Sequence, residues 1–170
     1  MLDAYRQSGK TLMNSIYAVW KTNFTPYQKI TFVAVNKHMS DGCFENIKAM
    51  YDSLPEWMRS REDKTSERYM RDKKHIVVSN QSELVVTYAH ADFCGYFPGN
   101  IVILDDVAFL TDEQHVNLAD TIVPVVKSCK NSQFVTASTP AAHDDLFSRY
   151  VDYVRKTKDN DMLFEVSSYV

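Results

Sequence analysis

Asp3-Ala4-Tyr5-Arg6-Gln7-Ser8-Gly9-Lys10-Thr11 lies almost at the start of the chain and ends in Ser8-Gly9-Lys10-Thr11, the tail of a phosphate-binding loop. The full pattern is G-x-x-x-x-G-K-[ST], and Ala4 occupies its first glycine position. The chemistry survives that change. Gly9 carries no Cβ, so the backbone can bend close to a phosphate. The N–H groups of residues 7 to 11, Gln7 and Ser8 included, can point inward as an anion nest at a helix start. Lys10 would reach the β- and γ-phosphates, and the Thr11 hydroxyl would sit on Mg²⁺.

Working outward, Met1-Leu2 is the remnant of the strand that should lead into such a loop, so the chain reads as clipped at its start. Thr11 to Trp20 has helical spacing, with Leu12, Ile16, Val19 and Trp20 as the expected apolar stripe. Ile30 to Val35 is a β-branched run apolar enough to be buried on both faces. Ser40 precedes an expected helix through about Leu54, with Phe44, Ile47, Met50, Tyr51 and Leu54 on one stripe and Pro55 ending it. Glu56 to Lys74 is highly charged, either a solvated excursion or a basic surface facing DNA. His75 to Val78 and Glu83 to Tyr88 form an expected hairpin. Helices are expected from Asp112 to Cys129, capped by Thr111, and from Asp144 to Lys156, with a last strand from Met162 to Val166. Strands alternating with helices imply an α/β fold: a mostly parallel sheet flanked by helices, with one small antiparallel hairpin insertion.

Two further stretches carry chemistry. Ile101-Val102-Ile103-Leu104 is an aliphatic strand ending on Asp105-Asp106, and ligands of open α/β sheets bind at strand C-termini. Asp105 fits the role of holding Mg²⁺, and Asp106 stands where a carboxylate would activate the attacking water. Taken alone, the pair also reads as an acidic turn after a core strand. Thr136-Ala137-Ser138-Thr139-Pro140 ends the next short strand, and its hydroxyl pair would lie beside the γ-phosphate. Pro140 stops the strand.

Composition bounds the rest. At 170 residues the chain has the length of one domain, and 45% hydrophobic with 24% charged residues is an ordinary globular balance. A net charge of −3 argues against a chain coated in basic residues, though not against a local patch. Cys43, Cys94 and Cys129 show no C-x-x-C spacing, which favours a reducing compartment over a disulfide framework or zinc site. No apolar run approaches the roughly 20 residues of a membrane span, and charge begins at Asp3.

Together these stretches resemble the N-terminal ATPase domain of the large terminase subunit of tailed bacteriophages, the motor that packages DNA into procapsids. Arg6-Gln7-Ser8-Gly9-Lys10-Thr11 is similar to the family's R-Q-x-G-K-T Walker A loop. Leu54-Pro55-Glu56-Trp57 resembles its helix-ending segment, and Leu104-Asp105-Asp106-Val107-Ala108-Phe109 its D-E-x-A-F Walker B. Ser138-Thr139-Pro140 followed by Phe147 resembles its coupling motif.

The resemblance implies a P-loop NTPase fold of the ASCE, RecA-like type and a magnesium-dependent, ATP-hydrolysing DNA translocase. Arg6 would contact the γ-phosphate as a cis arginine. Lys10 and Thr11 would bind phosphate and Mg²⁺, Asp105 the metal and Asp106 the water. Ser138 and Thr139 would couple hydrolysis to DNA movement. The implied partners are double-stranded DNA, the portal protein and the small terminase subunit, with the motor a homo-oligomeric ring in the host cytoplasm and no membrane involved.

The sequence also departs from the pattern. Asp106 replaces a Glu, and Cys94-Gly95 stands where the family carries an Arg-Gly able to serve a neighbouring subunit. No upstream adenine-binding segment or nuclease acidic cluster is present, so the expectation is a single ATPase domain over residues 1–170 without nuclease activity. Two alternatives are another P-loop translocase of helicase type and a degenerate homologue that does not hydrolyse ATP.

Overall fold

The computed structural model describes residues 2–4, 8–65, 74–90, 99–114, 132–139 and 164–166, with the single positions 116, 120, 147 and 156. Its strands are β1 (Leu2–Ala4), β2 (Lys29–Ala34), β3 (His75–Val77), β4 (Glu83–Tyr88), β5 (Ile101–Asp105), β6 (Gln133–Ser138) and β7 (Phe164–Val166). Helix α1 (Lys10–Phe24) follows β1, and α2 (Lys37–Ser53) follows β2. One seven-stranded sheet runs in the order β3-β4-β2-β5-β6-β1-β7. Every pairing is parallel except β3 with β4. The hairpin is therefore present, and its second strand is also a parallel member of the main sheet, while β3 is the antiparallel edge.

Period-two alternation explains why the central strands read as unbroken apolar runs. Ile101 and Ile103 face one core cluster with Ile30 and Phe32, whereas Val102 and Leu104 face a second with Val33 and Phe147. Helix α2 closes the first cluster with Cys43, Ile47 and Tyr51. Gly99 sits where the chain enters β5, and a Cβ there would lie 2.4 Å from the Lys29 carbonyl oxygen. Only glycine allows that approach. Among the described residues no helix is long and apolar enough to cross a membrane.

The structure differs from the sequence expectation in three places. The opening strand is Leu2–Ala4 and lies inside the sheet, between β6 and β7. Helix α2 begins at Lys37, because Asn36 caps it by accepting from the Met39 N–H at 2.9 Å. Ser40 lies within the helix and bonds back to the Lys37 carbonyl.

The expected stripe of α1 is the third difference. Leu12, Ile16 and Trp20 are 52%, 47% and 49% exposed. Val19 alone of the stripe is buried as expected, on a face that otherwise carries Lys10, Asn14, Ser15, Ala18 and Thr22. Its rotation is fixed by the loop that opens it, which must present Lys10 and Thr11 to the sheet's C-terminal edge. Ser15 and Thr22 tolerate burial by bonding to the Thr11 and Ala18 carbonyls of the preceding turn.

In the charged stretch, three of the described cations pair with nearby carboxylates. Arg59 meets Asp52 at 3.5 Å, Lys64 meets Glu62 at 3.9 Å and Lys74 meets Asp41. Arg68, Arg71 and Lys73 lie outside the described residues. So does most of the two later helices. Their described parts include the Thr111 cap, where Thr111 and Gln114 exchange hydrogen bonds as a capping box.

Candidate nucleotide site

Parallel strands β5 and β6 and the start of α1 deliver their ends to one edge of the sheet, the edge at which α/β folds bind ligands. Gly9 enters α1 in the left-handed region, φ 82°, and no side chain caps the helix. An uncapped N-terminus with its dipole is an anion site. The Ser8 hydroxyl beside it is buried without a hydrogen-bond partner.

Three elements meet here through side chains. Lys10, buried at the first position of α1, donates from Nζ to Thr139 Oγ1 at 2.8 Å. Thr11 Oγ1 donates to Asp105 Oδ2 at 2.6 Å, and Asn14 Nδ2 donates to Asp105 Oδ1 at 2.9 Å. Asp105 is 2% exposed, and its burial pushes the carboxyl up to about 6. The hydrogen bond from Thr11 opposes that rise, the neighbouring Asp106 charge adds to it, and Asn14 and the Lys10 charge oppose it.

Asp106 leaves the strand in the left-handed conformation, φ 54°, an uncommon one for a residue with a Cβ. In a continued strand, successive side chains would point to opposite faces. The left-handed turn re-aims Asp106 so that it lines the same cavity as Ser8, Gly9, Lys10, Thr11 and Thr139, with a volume of about 740 Å³. Its N–H is held by the Ala137 carbonyl at 2.8 Å, and its own carbonyl accepts from the Phe109 N–H. Ser138, fully buried, accepts from the Ala108 N–H at 3.0 Å and so ties the end of β6 to the turn after Asp106.

Of the residues singled out in the sequence, Ser8, Gly9, Lys10, Thr11, Asp105, Asp106 and Thr139 come together around this cavity and its floor, and Ser138 braces it from behind. Arg6 and Gln7 lie outside the described residues, as do Cys94 and Gly95. Sequence reasoning missed Asn14 and the cavity's far wall at the start of α2, which includes the cap Asn36 and Met39. The legible signal for Asn14 was its position three residues past Thr11, on the same helix face.

A magnesium ion fits this donor set. Among the described residues no cluster of three or more His, Cys, Asp or Glu side chains is arranged for a metal. Mg²⁺ on a nucleotide asks for less, one or two hard protein oxygens with phosphates and water completing the shell. Thr11 and Asp105 are such oxygens, already 2.6 Å apart.

By sequence, no protein-family model and no curated protein matches the chain. By structure, it is similar to the large terminase of bacteriophage HK97, with a TM-score of 0.76 and 18% identity, over 97% of this chain and 35% of that one. A Thermus phage large terminase ATPase domain, in a variant form, aligns with a TM-score of 0.67 and 16% identity, over 99% of this chain and 75% of that one. The large terminase of a thermophilic bacteriophage, in complex with ATP-gamma-S, aligns at 0.62 and 15% identity, over 97% of this chain and 38% of that one. The chain thus spans about a third of the length of the HK97 protein. Its fold is that of the ATPase domains of phage large terminases, a P-loop α/β fold with a mostly parallel sheet.

Proposed function

We propose that residues 1–170 form the ATP-hydrolysing motor domain of a viral terminase large subunit, which drives double-stranded DNA into a procapsid. The observation that carries this reading is the convergence of Lys10, Thr11, Asp105 and Thr139 from three elements on a terminase-like fold. The thermophilic phage terminase solved both with ATP-gamma-S and with ADP shares that fold and supports nucleotide as the ligand.

In this reading the triphosphate lies over the α1 N-terminus. Backbone N–H groups, Gln7, Ser8 and Lys10 bind its phosphates, and Arg6 contacts the γ-phosphate. Thr11 and Asp105 would hold Mg²⁺, which when bound neutralises charge on the phosphate oxygens. Asp106 orients the attacking water and accepts its proton as the bond to the leaving ADP breaks.

Lys10 has three N–H donors, and one goes to Thr139. A phosphate that draws Lys10 therefore pulls on the end of β6. Through Ser138 that pull reaches the turn holding Asp106. In this reading Ser138 and Thr139 relay nucleotide state from Lys10 to that turn, the first step of coupling hydrolysis to DNA movement.

The assembled motor would be a ring of such subunits acting in the host cytoplasm with the portal protein and the small terminase subunit. Steady-state phosphate release, with and without double-stranded DNA, tests the proposal. A slow basal rate raised by DNA is expected. Fast turnover by dilute, monomeric protein that ignores DNA contradicts a packaging motor.

A further inference from the structure

Asn14 is 4% exposed and lies three residues beyond Thr11, so both side chains project from one face of α1. Thr11 holds one oxygen of Asp105 and Asn14 holds the other, at 2.6 and 2.9 Å. One hydrogen bond would leave the carboxylate free to turn about its Cβ–Cγ bond. Two donors from a single helical turn fix its plane, and each carboxylate oxygen keeps further acceptor capacity.

The neighbours on the same helix face supply a contrast. Ser15 and Thr22 spend their hydroxyls on α1's own backbone. Asn14 instead reaches across to the end of β5, over 91 residues of chain. Burying an amide is costly without a partner, and this one is satisfied by the acidic residue of the site.

From this geometry we infer that Asn14 is a positioning residue, which locks the Asp105 carboxylate in the orientation that Mg²⁺-nucleotide binding requires. The inference rests on the nucleotide function proposed above. Asn14 acts through Asp105 and touches no reacting atom.

Calorimetric titration of the full chain with ATP, at a series of Mg²⁺ concentrations and again in EDTA, tests it. In Asn14→Ala the half-saturating Mg²⁺ should rise by about 10- to 100-fold, with metal-free ATP affinity within about twofold of wild type, because residues that orient a ligand act on the metal term. Asn14→Leu keeps the branched shape and heavy-atom count but lacks the donor, and should shift in the same way if a cavity at alanine prevents folding. Thr22→Ala removes a buried hydroxyl away from the site; it should lower the melting temperature and leave the Mg²⁺ requirement unchanged.

Two results overturn the inference: an unchanged Mg²⁺ requirement in folded Asn14→Ala or Asn14→Leu, or a parallel loss of metal-free and Mg²⁺-dependent binding. Absence of Mg²⁺-dependent ATP binding in the wild type is a different failure. It removes the proposed function, and the inference falls with it.

Discussion

Thr11 Oγ1 donates a 2.6 Å hydrogen bond to Asp105 Oδ2, joining the phosphate loop to the acidic strand end across 94 residues of chain. In the sheet β6 separates β1, the strand before the loop, from β5, which ends on Asp105. The Thr11–Asp105 bond links two sequence motifs that are individually weak, and with Asn14 and Lys10 it makes them one site.

Keeping Asp105 there has a stability consequence. Burial raises its carboxyl from 3.8 to about 6. An acid whose folded pKa lies above its unfolded value stabilises the fold when protonated. That contribution is fully present below 3.8 and is lost as pH rises through about 6. Asp105→Asn should therefore be more stable than wild type at about pH 7.5 without nucleotide, by on the order of 1–3 kcal/mol. The gap should close below about pH 4. Denaturant melts at several pH values check this, and a wild type that gains on the variant as pH rises refutes the burial account. The same substitution should weaken Mg²⁺-dependent ATP binding, an exchange of function for stability.

Asp106→Asn should bind Mg-ATP and fail to hydrolyse it, because an amide keeps the shape but accepts no proton. Asp106→Glu adds a methylene and matches the resembling family. Hydrolysis should rise or stay level, unless the cavity has repacked around the shorter side chain, since about 1 Å of misplacement can cost about 10²-fold. Phosphate release at saturating Mg-ATP reads all three proteins. Hydrolysis by Asp106→Asn at the wild-type rate would move the base elsewhere and favour a different catalytic residue.

The two faces of α1 should respond oppositely to substitution. Ile16→Gln and Trp20→Gln, at half-exposed positions, should each change stability by no more than about 0.5 kcal/mol. Ala18→Leu, at a fully buried position, should cost about 1–3 kcal/mol by overpacking. Thermal melts of the three variants decide. The reverse ranking would restore the apolar stripe as the core face.

The central strands were legible because β5 and β2 are buried on both faces, which removes ambiguity from an aliphatic run. The hairpin was legible from its two β-branched segments and polar turn. The face of α1 was not, because apolar periodicity was assumed to mark the core. In this helix the loop chemistry sets the rotation, so Leu12, Ile16 and Trp20 fall on the exposed side while Val19 stays buried. The start of α2 was displaced because Asn36 caps it through a side-chain bond that periodicity does not reveal. Asn14 escaped for a related reason: an isolated Asn in a helix carries no motif until its partner across the sheet is known.

Calorimetric titration of Mg-ATP into the wild type and Lys10→Ala tests the central claim most directly. Lys10 places a buried point charge at the phosphate site, and charge-assisted contacts of this kind are worth roughly 1.5–3 kcal/mol. The account predicts saturable, Mg²⁺-dependent ATP binding by the wild type and at least about tenfold weaker binding by Lys10→Ala. Equal ATP affinity in the two proteins would contradict it.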